Sequence, residues 1–187
     1  MKKLLNLLFL PLMTNNMEES LKIPTVIVKE LRDQTGAGIM HCRNALLEAE
    51  GDMEKAIKLL KQQSLFQAQK KANRTTTQGI IEAYVHTGGR IGAMVEVNCE
   101  TDFVARTDEF KELAHHLAMQ IAAQHPKFIL REEIPEGADV DPQAACLLLQ
   151  PYIKNPDKTV QDIIAETIAR VGENIKISRF ARFEVGS

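Results

Sequence analysis

The segment 98–104 has the sequence Asn-Cys-Glu-Thr-Asp-Phe-Val and lies between a predicted strand and a predicted helix. Cys99 could act as a nucleophile, with Asp102 and His115 as orienting group and base, but nothing in their spacing specifies such a site. Alternatively, Phe103 fills the core while Asp102 caps a turn. A third interpretation makes Phe103 a projecting aromatic anchor, the type of residue that dominates the energetics of interfaces. The residues alone leave these three interpretations open.

Other patterns associated with chemistry are incomplete. The glycines at 36–38 and 88–89 lack the spacing and the lysine of a phosphate-binding loop. His115 and His116 are adjacent, about 100° apart around a helix, so they cannot both bind one metal from that helix. We therefore expect no enzyme activity, no cofactor, no metal site and no direct nucleotide binding.

Composition narrows the class of partner. The 187 residues carry a net charge of −2, with 44% hydrophobic and 26% charged residues. This is ordinary for a globular protein and too acidic for a protein that neutralises many phosphates, so we expect neither nucleic acid nor membrane as the main partner. Three widely spaced cysteines favour a reducing compartment, although one disulfide within the chain or between two copies stays open.

Residues 1–22 are set apart from the remainder. Lys2 and Lys3 precede a leucine-rich run that resembles the start of a signal peptide, but the small-residue cleavage site is missing. The run is also too short to span a bilayer. We expect a disordered extension or an upstream leader, with Met17 as the true start.

Residues 23–62 are predicted to form a module of three short helices. Apolar residues recur at helical spacing, Gly36 and Gly51 are placed to end helices, and Asp52 can cap the third. A module this small presents a surface to a partner because it has no room for a cleft. Residues 63–78 are predicted to be a polar linker; its basic residues Lys70, Lys71 and Arg74 are either solvated or in weak contact with RNA or an acidic partner.

Residues 79–187 are predicted to form an α+β core. A hairpin turns at residues 87–90, amphipathic helices are expected from Asp108 to Ala123 and after Thr159, and residues 131–158 are expected to be irregular. In the last strand one side is predicted to carry Ile175, Ile177, Ala181, Phe183 and Val185. The expected fold class is therefore α+β, with the three-helix module followed by an antiparallel sheet that has helices packed on one face.

Two long motifs carry a resemblance to a known family. They are residues 28–46, from Val-Lys-Glu-Leu-Arg to Arg-Asn-Ala-Leu, and residues 96–106, Glu-Val-Asn-Cys-Glu-Thr-Asp-Phe-Val-Ala-Arg. Both resemble signatures of elongation factor Ts, in the expected order, and weaker similarity extends over residues 23–186. The module also resembles ubiquitin-associated domains. Two features depart from the family: the segment 131–149 is shortened, and His41 stands where aspartate is common.

The resemblance implies a guanine-nucleotide exchange factor that binds elongation factor Tu and promotes release of GDP, so that GTP can bind. Partner contacts that would dislocate Mg²⁺ from elongation factor Tu are implied for Thr101, Asp102, Phe103 and Val104. Other contacts are implied for Leu31, Ile39, Met40, Arg43 and His86. Long members of the family carry a duplicated core and this chain has one, so we expect a homodimer. The expected compartment is the cytoplasm, with the plastid stroma as the alternative.

Three rival functions follow from the residues. The module could be a ubiquitin-binding adaptor, Cys99 could serve an enzyme together with a histidine, and the basic residues of the predicted linker could bind RNA. Ubiquitin binding, the effect of thiol alkylation and a steep dependence on salt would distinguish them.

Overall fold

The structure is a computed structural model that describes residues 23–186. The prediction for residues 1–22 lies outside the described residues. No helix in the described part of the chain is both long and apolar enough to cross a membrane.

Three helices form the N-terminal module, as predicted. They are α1 (Thr25–Thr35), α2 (Ile39–Glu48) and α3 (Met53–Lys71). Gly36 ends α1 with φ 68°, a left-handed conformation that glycine adopts without a steric penalty, and the Asp52 carboxylate caps α3 by accepting from the Lys55 amide. The three helices bury their own apolar core, which includes Leu31, Cys42, Leu46 and Leu60.

Helix α3 continues through Lys71, so the first part of the predicted linker is helical. Residues 63–71 include three Gln and two Lys, which favour helix, and the end of α3 packs on the core domain. Lys71 Nζ donates to the Ile168 carbonyl at 3.3 Å, and Lys61 pairs with Asp162 at 2.8 Å. The core domain therefore holds residues 63–71, a segment that its polarity alone would leave in solvent.

The core contains a three-stranded antiparallel sheet in the order β1-β2-β5, formed by β1 (Gln78–Val85), β2 (Ile91–Cys99) and β5 (Ile175–Glu184). Between β2 and β5 come α4 (Asp102–Ala105), α5 (Asp108–Gln124), α6 (Pro142–Ala145) and α7 (Val160–Val171). Helix α5 packs on the sheet and α7 packs on α5 and α3. The predicted α+β class, with helices on one face of the sheet, is confirmed.

Residues 131–158 are more ordered than predicted. They contain two 3-10 turns, α6, and a small hairpin of β3 (Pro151–Tyr152) and β4 (Asn155–Thr159). The buried Gln120 side chain accepts from the Ile153 amide at 2.9 Å and donates to the Pro151 carbonyl at 3.1 Å. Short strands of two and five residues, one of them containing Pro156, leave no alternating pattern by which they could have been predicted.

The predicted facing of β5 is wrong beyond Ile177. The pairing register with β2 shifts between Glu96 and Val97, so Arg179 pairs with Glu96 whereas Ile177 pairs with Val97. This bulge inverts the alternation, because one extra residue moves every following side chain to the opposite face. Phe180 and Arg182 therefore point towards the helices, and Ala181 and Phe183 lie on the uncovered face.

The uncovered face of the sheet is apolar over one end. We call this surface the outer face; its large side chains, 47% to 68% exposed, are Ile81, Val85, Met94, Phe183 and Val185. The other end of the same face is polar: Glu96 accepts from Arg179 at 2.7 Å. An apolar surface of this kind on a small core is a candidate for contact with another protein.

Candidate partner-binding site

The strand β2 and the helix α5 are joined by the segment that carries Phe103. Thr101 caps the single turn α4, and its hydroxyl faces the Val104 amide at 3.5 Å. Val104 packs against the core and Ala105 is buried, so the turn is attached to the domain through these two side chains. Phe103 points the other way and is 79% exposed. The interpretation in which Phe103 fills the core is therefore excluded.

Polar contacts hold this segment from both sides. Asp102 forms an ion pair with Arg106 at 2.8 Å, one helical turn away. The Thr101 amide and hydroxyl both donate to the Glu173 carboxylate, at 2.9 and 2.6 Å. Because Phe103 has so much free surface, the backbone beside it must be fixed by its neighbours for the ring to point in a constant direction.

Cys99 has the environment of a structural thiol. It is fully buried, and its Sγ donates to the Thr101 carbonyl at 3.1 Å. Burial, reinforced by the negative charge of Glu173, raises the pKa of Cys99 to about 11. A reactive cysteine needs a lowered pKa and access to solvent, so the proposed nucleophile is disfavoured. His115 has another partner, the Glu82 carboxylate at 2.9 Å.

In the module, the implied contact residues divide into exposed and buried ones. Ile39 and Met40, in the first turn of α2, are 54% and 61% exposed, and Arg43 is exposed on the next turn. Leu31 is fully buried in the module core. Leu31 therefore has no surface for a direct contact with a partner. Its side chain instead packs the helices that present Ile39, Met40 and Arg43.

The module surface and Phe103 lie at the same end of α7. Gly36, at the turn that leads into α2, lies against Arg170: a Cβ at residue 36 would stand 3.0 Å from its Nη1. Arg170 also pairs with Glu109 in the first turn of α5. Three residues further on, Glu173 binds Thr101. The end of α7 therefore connects the loop that precedes Ile39 with the segment that carries Phe103.

His86 is not part of that cluster. It follows β1 at the hairpin turn, where its ring contacts the Tyr84 hydroxyl at 3.0 Å. Gln78 pairs with Cys99 at one end of the hairpin and Val85 with Gly92 at the other. At about 3.3 Å per residue, the strand separates His86 from the Phe103 segment by roughly 25 Å. The structure thus places His86 at the opposite end of the sheet.

The basic residues of the predicted linker have partners within the chain. Lys71 donates to the Ile168 carbonyl, Arg74 pairs with Glu100 at 3.4 Å, and the Lys70 ammonium lies 4.2 Å from the centre of the Phe66 ring. The three side chains are thus held against the chain, and the Glu100 carboxylate offsets the charge of Arg74. These contacts disfavour the RNA-binding interpretation.

Comparisons with family models and with known proteins lead to the same family. The family model for elongation factor TS matches residues 65–140. The chain is 50% identical to elongation factor Ts of Carboxydothermus hydrogenoformans, over 88% of this chain and 89% of that protein. It is 49% identical to the protein of the same name from a Thermoanaerobacter species, over 85% and 93% of the two chains, and 47% identical to that from Thermotoga neapolitana, over 86% and 95%.

Proposed function

Because this chain belongs to the elongation factor Ts family, we propose that it accelerates the release of GDP from elongation factor Tu by inserting Phe103 into the nucleotide-binding domain of that protein. The observation that carries the proposal is the exposure of Phe103, 79%, on a segment anchored by Thr101, Val104 and Ala105. An exposed aromatic ring on a fixed backbone loses little conformational entropy when it enters a pocket.

The proposed mechanism needs no covalent step. Phe103 would displace the groups that hold Mg²⁺ beside GDP, Thr101 and Val104 would support the ring from below, and Asp102 would make polar contacts. Ile39, Met40 and Arg43 would dock the module on the same domain. If the factor prefers the nucleotide-free form of its partner, each of the two ligands weakens the binding of the other by the same ratio. Release then becomes faster while the equilibrium between free nucleotides is unchanged.

His86 and the outer face support a second part of the proposal. We infer that two chains associate through their outer faces, because the apolar end of that face is uncovered in a single chain. Since His86 lies about 25 Å from the Phe103 segment, His86 of one copy and Phe103 of the other could serve one partner molecule. We expect this activity in the cytoplasm.

The test is the release of fluorescent GDP from purified elongation factor Tu, measured by stopped flow. We expect the unmutated protein to accelerate release strongly. Phe103→Ala should slow release at a fixed factor concentration about thirty-fold, the effect of losing an interface anchor worth about 2 kcal/mol.

Leu130→Ala is the matched control. Leu130 is 42% exposed and follows the far end of α5 from Phe103, so its truncation should leave release unchanged. If the unmutated protein does not accelerate release, the proposed exchange function is wrong. If Phe103→Ala releases GDP as fast as Leu130→Ala, exchange stands and the role of Phe103 is wrong.

A further inference from the structure

The turn that follows α7 is bonded to the Phe103 segment in a reciprocal pattern. Glu173 accepts from the Thr101 amide and hydroxyl, at 2.9 and 2.6 Å. In return, the Glu100 carboxylate accepts from the Asn174 amide at 2.7 Å. Glu100 and Thr101 are thus joined to Glu173 and Asn174 by three hydrogen bonds, each with a carboxylate as acceptor. Hydrogen bonds to charged groups are stronger than neutral ones.

Asn174 connects the same turn to the helical module. Its side chain is 2% exposed, and its amide nitrogen donates to the carbonyls of Ala72 and Arg74, at 3.3 and 2.9 Å. Ala72 is the residue that ends α3. Asn174 therefore holds the end of α3, and Glu173, the residue before it, holds the Phe103 segment.

The Phe103 segment needs such support, because its own secondary structure is weak. Helix α4 is four residues long, which is a single turn, and an isolated turn of helix is unstable in water. The Phe103 ring, being mostly exposed, adds little packing. The Glu173 contacts come from a position 72 residues further along the chain, so they fix the segment relative to the domain and not only within itself.

We propose that Glu173 is a positioning residue for nucleotide release: its carboxylate holds Thr101 so that Phe103 points in the direction that insertion requires. Asn174 anchors the same turn to the end of α3, so the ring and the module keep a fixed relation. This inference rests on the proposed exchange function, but the positioning of the segment can be measured without elongation factor Tu.

The direct test uses a fluorescent reporter. The chain contains no tryptophan, so Phe103→Trp introduces one indole at the position of interest. Time-resolved anisotropy of this protein should show slow rotation of the ring with the domain. Adding Glu173→Ala should increase the amplitude of fast local rotation about twofold, whereas Glu173→Gln should restore most of the slow component, because its amide can accept from the Thr101 backbone and donate to the hydroxyl. An unchanged anisotropy decay in Glu173→Ala would overturn the proposal.

The functional test is a double-mutant cycle on GDP release. Glu173→Ala should lower the maximal release rate about tenfold and change the half-saturating concentration of the factor less than about threefold, since Ile39, Met40 and Arg43 still dock. In the Phe103→Ala background it should cause no further loss, because it acts through that ring. Glu136→Ala, in an exposed turn, controls for the removal of a glutamate and should have no effect.

These outcomes separate the two ideas. If the unmutated protein accelerates release and Phe103→Ala slows it, while Glu173→Ala is fully active or adds its own loss to that of Phe103→Ala, the exchange function stands and the positioning role is wrong. If no variant accelerates release, exchange is wrong and the anisotropy result still decides the positioning. Should Glu173→Ala fail to fold, Glu173→Asp decides: its carboxylate keeps the charge but is one methylene too short to reach both donors, so it should behave as the alanine variant is expected to.

Discussion

His116 joins α5 to the small hairpin of β3 and β4. Its Nδ1 contacts the Tyr152 hydroxyl at 2.8 Å, and its Nε2 contacts the Lys154 ammonium. A lysine can only donate, so Nε2 is the acceptor and the proton of the neutral ring is on Nδ1, which donates to Tyr152. Glu112 and His115, on the same helix, also face the ring. Burial lowers the pKa of His116, and the positive charge of Lys154 acts in the same direction.

This lowered pKa predicts a loss of stability in mild acid. The unfolded chain takes up a proton at His116 near pH 6.5 and the folded chain does so only at lower pH. In that window the unfolded state binds more protons, so the free energy of unfolding must fall as the pH falls below about 6.5. Urea unfolding at pH 7.5 and 5.5 should show this decrease, and His116→Asn should reduce it, because asparagine can still donate to Tyr152 but does not titrate. Equal decreases in both proteins would contradict the assignment.

Single residues also show what sequence could predict about the site. The family resemblance pointed to Phe103, and its exposure makes that role physically accessible. It pointed equally to Leu31, which is buried, because a motif records which residues recur and not which of them reach the surface. Glu173 was missed altogether. Its contact with Thr101 joins distant parts of the chain, and no local pattern reports a pairing of that kind.

Among the elements, β1 depends on one glycine. Gly79 has φ 154°, and a Cβ there would stand 2.2 Å from the carbonyl oxygen of Val97 on the neighbouring strand. This atom belongs to the backbone of the central strand and cannot move aside. Gly79→Ala should therefore lower the free energy of unfolding by about 1–3 kcal/mol, the usual cost of imposed backbone strain.

Gly92→Ala provides the comparison for that substitution. Gly92 lies in β2, and a Cβ there would make only ordinary contacts, the nearest being 3.5 Å from the Tyr84 carbonyl oxygen. Urea unfolding of both variants should show a much larger loss for Gly79→Ala than for Gly92→Ala. Similar losses would mean that the missing glycine flexibility, and not the contact with Val97, decides the effect.

Elements with strong local signals were predictable, and those defined by contact were not. Helix α7 follows Thr159, as the sequence predicts; in the structure Thr159 and Asp162 form a capping box at its start, and it ends at Gly172 with φ 81°. The extension of α3 and the bulge in β5 were not visible. In β5 one side carries Ile175, Ile177, Ala181 and Phe183 and the other side is mostly polar, so the alternation in the sequence favours an unbroken strand. The bulge arises from the pairing with β2 and leaves no mark in that alternation, so periodicity predicts the facing only up to the bulge.

At the scale of the whole molecule, the outer face predicts self-association. Phe183 is 68% exposed at the apolar end, on the edge strand β5 and opposite Gly92 of β2. If two copies pack these faces together, Phe183→Glu should place a charge in the interface and raise the dimer dissociation constant at least about tenfold, since an unpaired buried charge is costly. Sedimentation velocity over a range of concentrations would measure the change.

Phe66→Glu serves as the control for that substitution. Phe66 is 54% exposed but lies on α3, away from the sheet. It should leave the dissociation constant unchanged. A monomer at all concentrations for the unmutated chain, with full exchange activity, would contradict the dimer and leave the Phe103 proposal intact.

The continuity of α3 has a consequence for affinity. One helix belongs to the module at its start and is held at its end by Lys71 and Asn174, so the module cannot swing as it would on a flexible tether. If Ile39 and Phe103 both contact the partner as proposed, the two contacts are carried by one stiff body. Once either has engaged, the other meets its target at an effective concentration set by geometry and not by the amount of protein in solution. Such an arrangement lets two modest contacts act as one strong one.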